Sequence, residues 1–458
     1  MIETFNPFET NITFYVILNV FFCIFTTFWI AGIFFTRRYL FIKPSMLLLT
    51  FSHIFFQWPI SIYAGYYEHF LPDPYAFSLL IHAYMIIGLL VTVFTFHNKA
   101  RMIWDRITDP FLLEDAVSIK AIVFTTTLVA CVIVAYLAYV PFDSTGLYAI
   151  FTNPSTAAEA REKSLKLLDS RALKYAYSLM VSSIAPLLAV LLSVSFIRDI
   201  ERRNFVNIPI YTLLFLFLAF AVSMTGARIS VVNLLIVIAI AQLFRKGFPF
   251  KPFSFFLLLL LLLLPPTILS IIREGKAIGV GIIFEYLGYL ARRTFVLTMD
   301  VGSWYVHYSQ IHGYFGVASI PKIAVILDVV PVNTPNLIGI TYVDNALKTV
   351  SAVAGYLFTY YSYFGIASLF FSIVCLWILD VALLVYERLS DVMLLPCVAG
   401  ASLSILSFIS SDYTVVWLTH GFGVILLLSW IIDYFIVTSC GVLRSLSGQS
   451  DALMKTNA

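Results

Sequence analysis

The sequence predicts an all-α, polytopic integral membrane protein of about eleven transmembrane helices with a large helical loop on its outward side. Three observations lead there. The 458-residue chain is 61% hydrophobic and 12% charged, whereas a soluble domain carries about 25% charged residues. Apolar runs of the roughly 20 residues needed to cross a bilayer recur along it. The short segments between those runs alternate between basic and non-basic.

The apolar runs place spans at 12–35, 46–66, 76–97, 119–140, 173–197, 208–225, 227–244, 253–271, 355–386, 392–410 and 415–437. Basic residues in short loops mark the cytoplasmic side. They cluster in "TRRYLFIKP" (Arg37, Arg38, Lys43), "HNKARMIWDR" (Lys99, Arg101, Arg106), "RDIERRN" (Arg198, Arg202, Arg203) and "RKGFPFK" (Arg245, Lys246, Lys251). These loops alternate correctly if all four face inward. The acidic N-terminus then faces out and the tail with Arg444 and Lys455 faces in, as an odd number of spans requires. The start "MIETFNPFETN" has no basic n-region, which speaks against a cleaved signal peptide. No Gly-Ser linker divides the chain, so residues 1–458 read as one membrane domain. The five cysteines form no CxxC pair and sit in or beside apolar segments, the pattern of small buried side chains rather than of a zinc site or a disulfide framework.

Two outward loops are long, 141–172 and 272–354. Eleven of the 28 basic residues lie on them or at their edges. Long loops escape the positive-inside rule, so the topology stands, and acids such as Glu159, Glu162, Asp300 and Asp344 balance much of this charge. The larger loop is not a flexible linker. Its stretch "VGIIFEYLGYLARRTFVLTMDVGSWYVHY" suits helices packed on, or dipping into, the outer leaflet. Such a structure forms a cap over a membrane cavity, where a lipid tail can stay in the bilayer while its head group is worked on outside.

Several side chains on the outward side invite a chemical role. Arg228 stands alone in "AVSMTGARISVVNLL", where the sixth and seventh spans meet. It either snorkels and caps the sixth helix, or offers a planar, permanently charged fork to a phosphate. Arg292 and Arg293 are neighbours about 100° apart on a helix; one can face a site while the other pairs with an acid, or both can anchor anionic lipid. Arg273 follows the eighth span directly. Arg161 and Arg171 flank the mixed-charge "EKSLKLLDS", for which a solvated helix face is the better account. His307 and His312 are five residues apart without a third ligand nearby, which disfavours a metal site. Trp304 and Tyr305 can stack on sugar rings, although interfacial aromatic belts explain such residues equally. Asp344, Asp300 and His307 are the candidate bases, unranked by the sequence. Asp380, near the inner end of the ninth span, reads as a helix-packing polar group or a functional one. No GxSxG, HExxH or Walker motif occurs, which disfavours serine hydrolysis and ATP-driven chemistry.

"MTGARISVVNLLIVIAIAQLFRKG" resembles the segment of O-antigen polymerases and ligases in which a small-residue turn and an arginine open a membrane helix ending in basic residues. An apolar helix and a large arginine-bearing outer loop follow, and then "GYLFTYYSYFGIASLFF", similar to the family's glycine-to-"FG" stretch (Gly355, Phe364, Gly365). Arg292 and Gly302 match an Arg-x9-Gly spacing of some Wzy-type polymerases. The resemblance covers roughly 208–375 and rests more on order and topology than on any one motif.

It implies a GT-C-like, metal-independent, inverting glycosyltransferase of the bacterial inner membrane, with its N-terminus periplasmic and its C-terminus cytoplasmic. Such an enzyme transfers a growing glycan from undecaprenyl pyrophosphate onto a fresh lipid-linked repeat unit. By carry-over, Arg228 and Arg292 or Arg293 hold pyrophosphate. The implied partners are the lipid-linked donor and acceptor, membrane lipids and a chain-length regulator protein; neither a cofactor nor a nucleic-acid partner is expected. The family's ligases carry a His-Asn element late in the large loop, where this chain reads "YVDNALK", so the ligase reading ranks second. A flippase or transporter of lipid-linked oligosaccharide ranks third, because no paired repeat is visible.

Overall fold

The computed structural model describes residues 12–63, 74–109, 115–153, 156–168, 170–226, 228–248, 279–320, 326–342 and 352–435, with isolated positions between 264 and 274 and at 324. Every regular element among them is helical. Eight described helices are long and apolar enough to cross a membrane: Tyr15–Thr36, Pro44–Ile62, Ala76–Phe94, Ile119–Tyr139, Arg171–Glu201, Tyr356–Arg388, Asp391–Ile409 and Tyr413–Phe435. Each coincides with an expected span. The expected spans 208–225 and 227–244 are helical but shorter, at Ile208–Ser223 and Arg228–Arg245. The expected span at 253–271 lies almost wholly outside the described residues.

Two long spans contain a widened, π-helical turn, at His53–Gln57 and Met180–Ile184. In each, a proline follows two residues after the turn, Pro59 and Pro186. A proline ring inside a helix collides with the carbonyl four residues earlier, here Phe55 and Ser182. Both of those residues lie inside the widened turn, which opens the space the ring needs. The helix continues across the proline instead of breaking.

The chain divides into two compact units, neither of them a continuous stretch, which is why no linker marks the division in the sequence. The first comprises Met1–Ala100, Gly288–Val381 and Ile405–Val415; the second comprises Arg101–Leu287, Ala382–Ser404 and Val416–Ala458.

In the first unit, helices Pro44–Ser52 and Pro74–Phe94 pack on Ser368–Leu379. A buried ion pair ties them together. Lys43 Nζ lies 2.9 Å from Asp380 Oδ2, and both side chains are fully shielded. Lys43 also donates to the carbonyl oxygens of Thr92 and Thr95. Asp380 accepts from the Ser45 backbone N–H at 3.0 Å and from Ser45 Oγ at 2.8 Å. The carboxylate thus sits at the N-terminus of the Pro44–Ser52 helix, where a negative charge is favoured. Lys43, counted in the sequence as a loop charge, is in fact an internal one, and Asp380 is the packing group that pairs with it.

The helix Leu297–His312, from the long segment 272–354, packs along Tyr356–Phe364 and also reaches Pro74–Phe94. A Cβ at Gly302 would come within 2.7 Å of the Phe358 ring, so the close approach of these two helices requires glycine there.

In the second unit, Ala185–Glu201 is the central helix. It packs against Asp115–Tyr139, Ile208–Ser223 and Arg228–Arg245, and residues 187–192 are buried on every side, as a helix apolar all round should be. Arg106 clasps the turn before Asp391–Leu406: Nε and Nη2 donate to Asp391 Oδ1 at 3.0 and 2.7 Å, and Nη2 also reaches Leu389 O at 2.6 Å.

Removing one member of the buried pair leaves the other as an uncompensated internal charge. Asp380→Leu is therefore expected to lower stability by about 3–5 kcal/mol, whereas Lys43→Met with Asp380→Leu recovers most of that loss. Thermal unfolding in detergent measures both. Equal losses in the single and double variants contradict the assignment.

Candidate functional site

The helix Leu297–His312 of the first unit carries four of the sequence candidates, Asp300, Trp304, Tyr305 and His307. A widened turn, Arg292–Val296, leads into Leu297–His312. Asp300, Trp304 and His307 follow at i, i+4 and i+7, and so lie on one face of that helix. Arg292 and Arg293 are both exposed. Asp300 is half-buried, and its Oδ1 is buried without a hydrogen-bond partner among the described residues. Burial pushes its carboxyl up to about 6, against the opposing pull of the Arg292 charge. A carboxyl so placed is ionised near neutral pH yet basic enough to accept a proton.

Trp304 and His307 converge on Tyr342, a residue the sequence reading did not single out. The Trp304 and Tyr342 rings stack with centroids 5.7 Å apart and planes 2° apart. His307 Nδ1 lies 2.5 Å from Tyr342 Oη. Burial, with Tyr308 nearby, pushes the Tyr342 phenol up to about 12, so it keeps its proton and can donate to Nδ1. That geometry uses one imidazole nitrogen, Nδ1, as the acceptor. Tyr305 is fully buried and its hydroxyl donates to Ala352 O at 2.7 Å. It builds the interior of this layer and presents no ring face to a sugar.

An apolar pocket of about 440 Å³ adjoins the start of this helix. It is lined by Ile54, Trp58, Pro59, Ile62, Ala291 and Phe295. Phe295 stacks on Phe55 at 5.3 Å. Arg292 follows one lining residue directly in the chain, so a charged group and a hydrocarbon wall are neighbours here.

The second unit carries Arg228, the first residue of the helix Arg228–Arg245; its side chain lies outside the described residues. The turn before it is tightly built. Gly226 has φ +73°, a conformation that favours glycine. Its N–H donates to Ser223 O at 2.7 Å, and Leu147 N–H donates to Met224 O at 3.1 Å. Tyr177 Oη donates to Ala221 O at 3.1 Å. The Ala221, Ser223 and Met224 carbonyls at the end of the Ile208–Ser223 helix are thus each met by another group.

Arg161 and Arg171 are exposed. Glu162 and Lys166 pair at 2.7 Å on the helix Ala157–Leu167, which fits a solvated charged face. Arg273 and Asp344 lie outside the described residues. Among the described residues, no three His, Cys, Asp or Glu side chains gather as metal ligands do. Comparison with protein-family models, curated proteins and solved structures gives no match.

The turn before Arg228 depends on Gly146. A Cβ there would lie 2.2 Å from the Thr225 backbone oxygen, so Gly146→Ala must displace the turn at a cost of about 1–3 kcal/mol. Gly32, whose added Cβ meets nothing within 4 Å, is the control. Thermal unfolding should show a lowered midpoint for Gly146→Ala and none for Gly32→Ala; equal midpoints contradict the packing.

Proposed function

We propose that the chain is a membrane glycosyltransferase of the oligosaccharide repeat unit polymerase type, acting on lipid-pyrophosphate-linked glycans at the outer face of a bacterial inner membrane. The observation that carries this reading is the Asp300 carboxyl, raised to about 6 and placed in the field of Arg292, on the helix that starts beside an apolar pocket. The order of segments in the sequence, with its resemblance to O-antigen polymerases, supports the same reading.

The reaction joins an acceptor sugar hydroxyl to the anomeric carbon of the donor glycan. The glycosidic oxygen leaves with the lipid pyrophosphate, and Asp300 takes the hydroxyl proton. Attack from the face opposite the leaving group inverts the anomeric centre. Negative charge grows on the pyrophosphate as its bond to the sugar breaks. Arg292, with Arg293 beside it, offers fixed positive charge for that oxyanion, and electrostatic stabilisation of this kind is a large term in catalysis. The pocket receives the part of the lipid chain nearest the pyrophosphate, and its volume falls in the range of ligand sites. The resemblance, by sequence position alone, makes Arg228 a phosphate-binding residue as well.

Deleting the gene and resolving surface glycan by electrophoresis tests this reading. A polymerase defect leaves a single repeat unit on the core. Complete loss of surface glycan points to a flippase, and a normal ladder contradicts the proposal. Arg228→Lys and Arg292→Lys keep the charge but lose the bidentate fork, so each should lower polymerisation about 10- to 100-fold at normal protein level. With Asp300 as base, the rate climbs with pH up to about 6, where the carboxyl becomes ionised, and is level above it. Asp300→Asn should abolish that rise and lower the rate about 10²–10⁴-fold; an unchanged pH profile contradicts the assignment.

A further inference from the structure

Three spans of the first unit share a buried polar chain that neither the sequence candidates nor the proposed reaction use. It begins at Trp58, on the pocket wall. Trp58 Nε1–H donates to His53 Nε2 at 3.0 Å. His53 Nδ1 lies 2.7 Å from Gln57 Oε1, and Gln57 Nε2 lies 2.8 Å from His82 Nδ1. His82 Nε2 lies 2.8 Å from Asn19 Oδ1, and Asn19 Nδ2 donates to Tyr15 O at 2.9 Å. Asn19, His53, Gln57 and His82 are all buried.

Groups that cannot reverse pin the direction of this chain. An indole N–H only donates, so His53 Nε2 accepts from it and the His53 hydrogen sits on Nδ1; the Thr27 hydroxyl, 2.9 Å from the same Nε2, turns its own hydrogen to Cys23 O at 2.7 Å. Gln57 Nε2 also reaches Phe22 O at 3.3 Å, and a backbone carbonyl only accepts, which fixes the amide orientation. His82 therefore accepts at Nδ1 and carries its hydrogen on Nε2. Tyr15 O fixes Asn19 in the same way. Ser78 Oγ donates to Asn19 Oδ1 as well.

We propose that the chain Trp58–His53–Gln57–His82–Asn19 is a one-way hydrogen-bond relay that positions the Trp58 ring on the pocket wall, with His53 as its Nδ1–H and His82 as its Nε2–H tautomer. Every link points the same way, so each strengthens the next. A change at His82 is then felt at Trp58, although the two do not touch. The relay carries orientation and not protons, because a carboxamide stands between the two imidazoles. Trp58, His53, Gln57, His82 and Asn19 are positioning residues. The inference does not depend on the reaction the protein catalyses.

The test is NMR of the full chain in detergent, with ¹⁵N-histidine and 5-fluorotryptophan. Trp58→Phe identifies the Trp58 resonance, and Trp377 of the same unit is the internal reference. The wild-type protein should show a neutral Nδ1–H imidazole for His53 and a neutral Nε2–H imidazole for His82; the opposite tautomer at either overturns the proposal without any variant needing to fold. His82→Leu should shift the Trp58 resonance and leave Trp377 in place. His82→Gln supplies an acceptor oxygen and a donor nitrogen in place of the ring and should restore the wild-type position. A Trp58 resonance unmoved by His82→Leu, or one that moves only together with Trp377, overturns the relay.

Discussion

The Lys43–Asp380 pair is the constraint on which the first unit depends. It joins positions 337 residues apart in sequence and lies where water does not reach. An isolated charge in such surroundings is costly, and a pair is tolerated only when its remaining hydrogens and lone pairs are met. Here they are: the lysine adds the carbonyls of Thr92 and Thr95, and the aspartate adds the N–H and hydroxyl of Ser45. The start of one span, the end of a second and the end of a third are thereby fixed in register. From the fixed start at Pro44 the helix runs to the widened turn at His53–Gln57, which sets the direction of Trp58 and so one wall of the pocket.

Much of the helical framework was legible in the sequence because lipid imposes a simple rule. Backbone groups must be satisfied within each helix, so spans appear as unbroken apolar runs. Residues 12–35, 76–97 and 392–410 are of that kind, and helices stand there. The pairing of spans was not legible. Lys43 lies among the arginines of "TRRYLFIKP" and looks like one more loop charge, because nothing local reveals that its partner is Asp380. The widened turns were missed although Pro59 and Pro186 signalled them, since a proline alone does not say whether a helix bends, breaks or widens.

The candidate site was legible in part. Asp300, Trp304 and His307 stood out one by one, and the helix Leu297–His312 brings them to one face at i, i+4 and i+7. Tyr342, which holds both Trp304 and His307, carries no local pattern and becomes visible only when two distant segments meet. The relay from Trp58 to Asn19 is spread over three spans, so no window of sequence contains it. A signal did exist: His53, Gln57, Asn19 and His82 are polar groups inside apolar spans, and such groups need partners. Gly146 is a similar case. Its lack of a side chain is explained by a backbone oxygen 79 residues away, at Thr225.

The proposed function rests on how charge and apolar surface are juxtaposed. Arg292 and Asp300 stand together in a helical segment whose start adjoins a hydrocarbon-lined pocket, a combination suited to a substrate with an anionic head on a lipid chain. The most direct measurement is made on the purified protein in lipid nanodiscs, supplied only with undecaprenyl-pyrophosphate-linked repeat units. The account predicts glycans longer than one repeat and one undecaprenyl pyrophosphate released for each new glycosidic bond. A folded protein that leaves the repeat units unjoined, or releases the lipid pyrophosphate without lengthening any glycan, contradicts it.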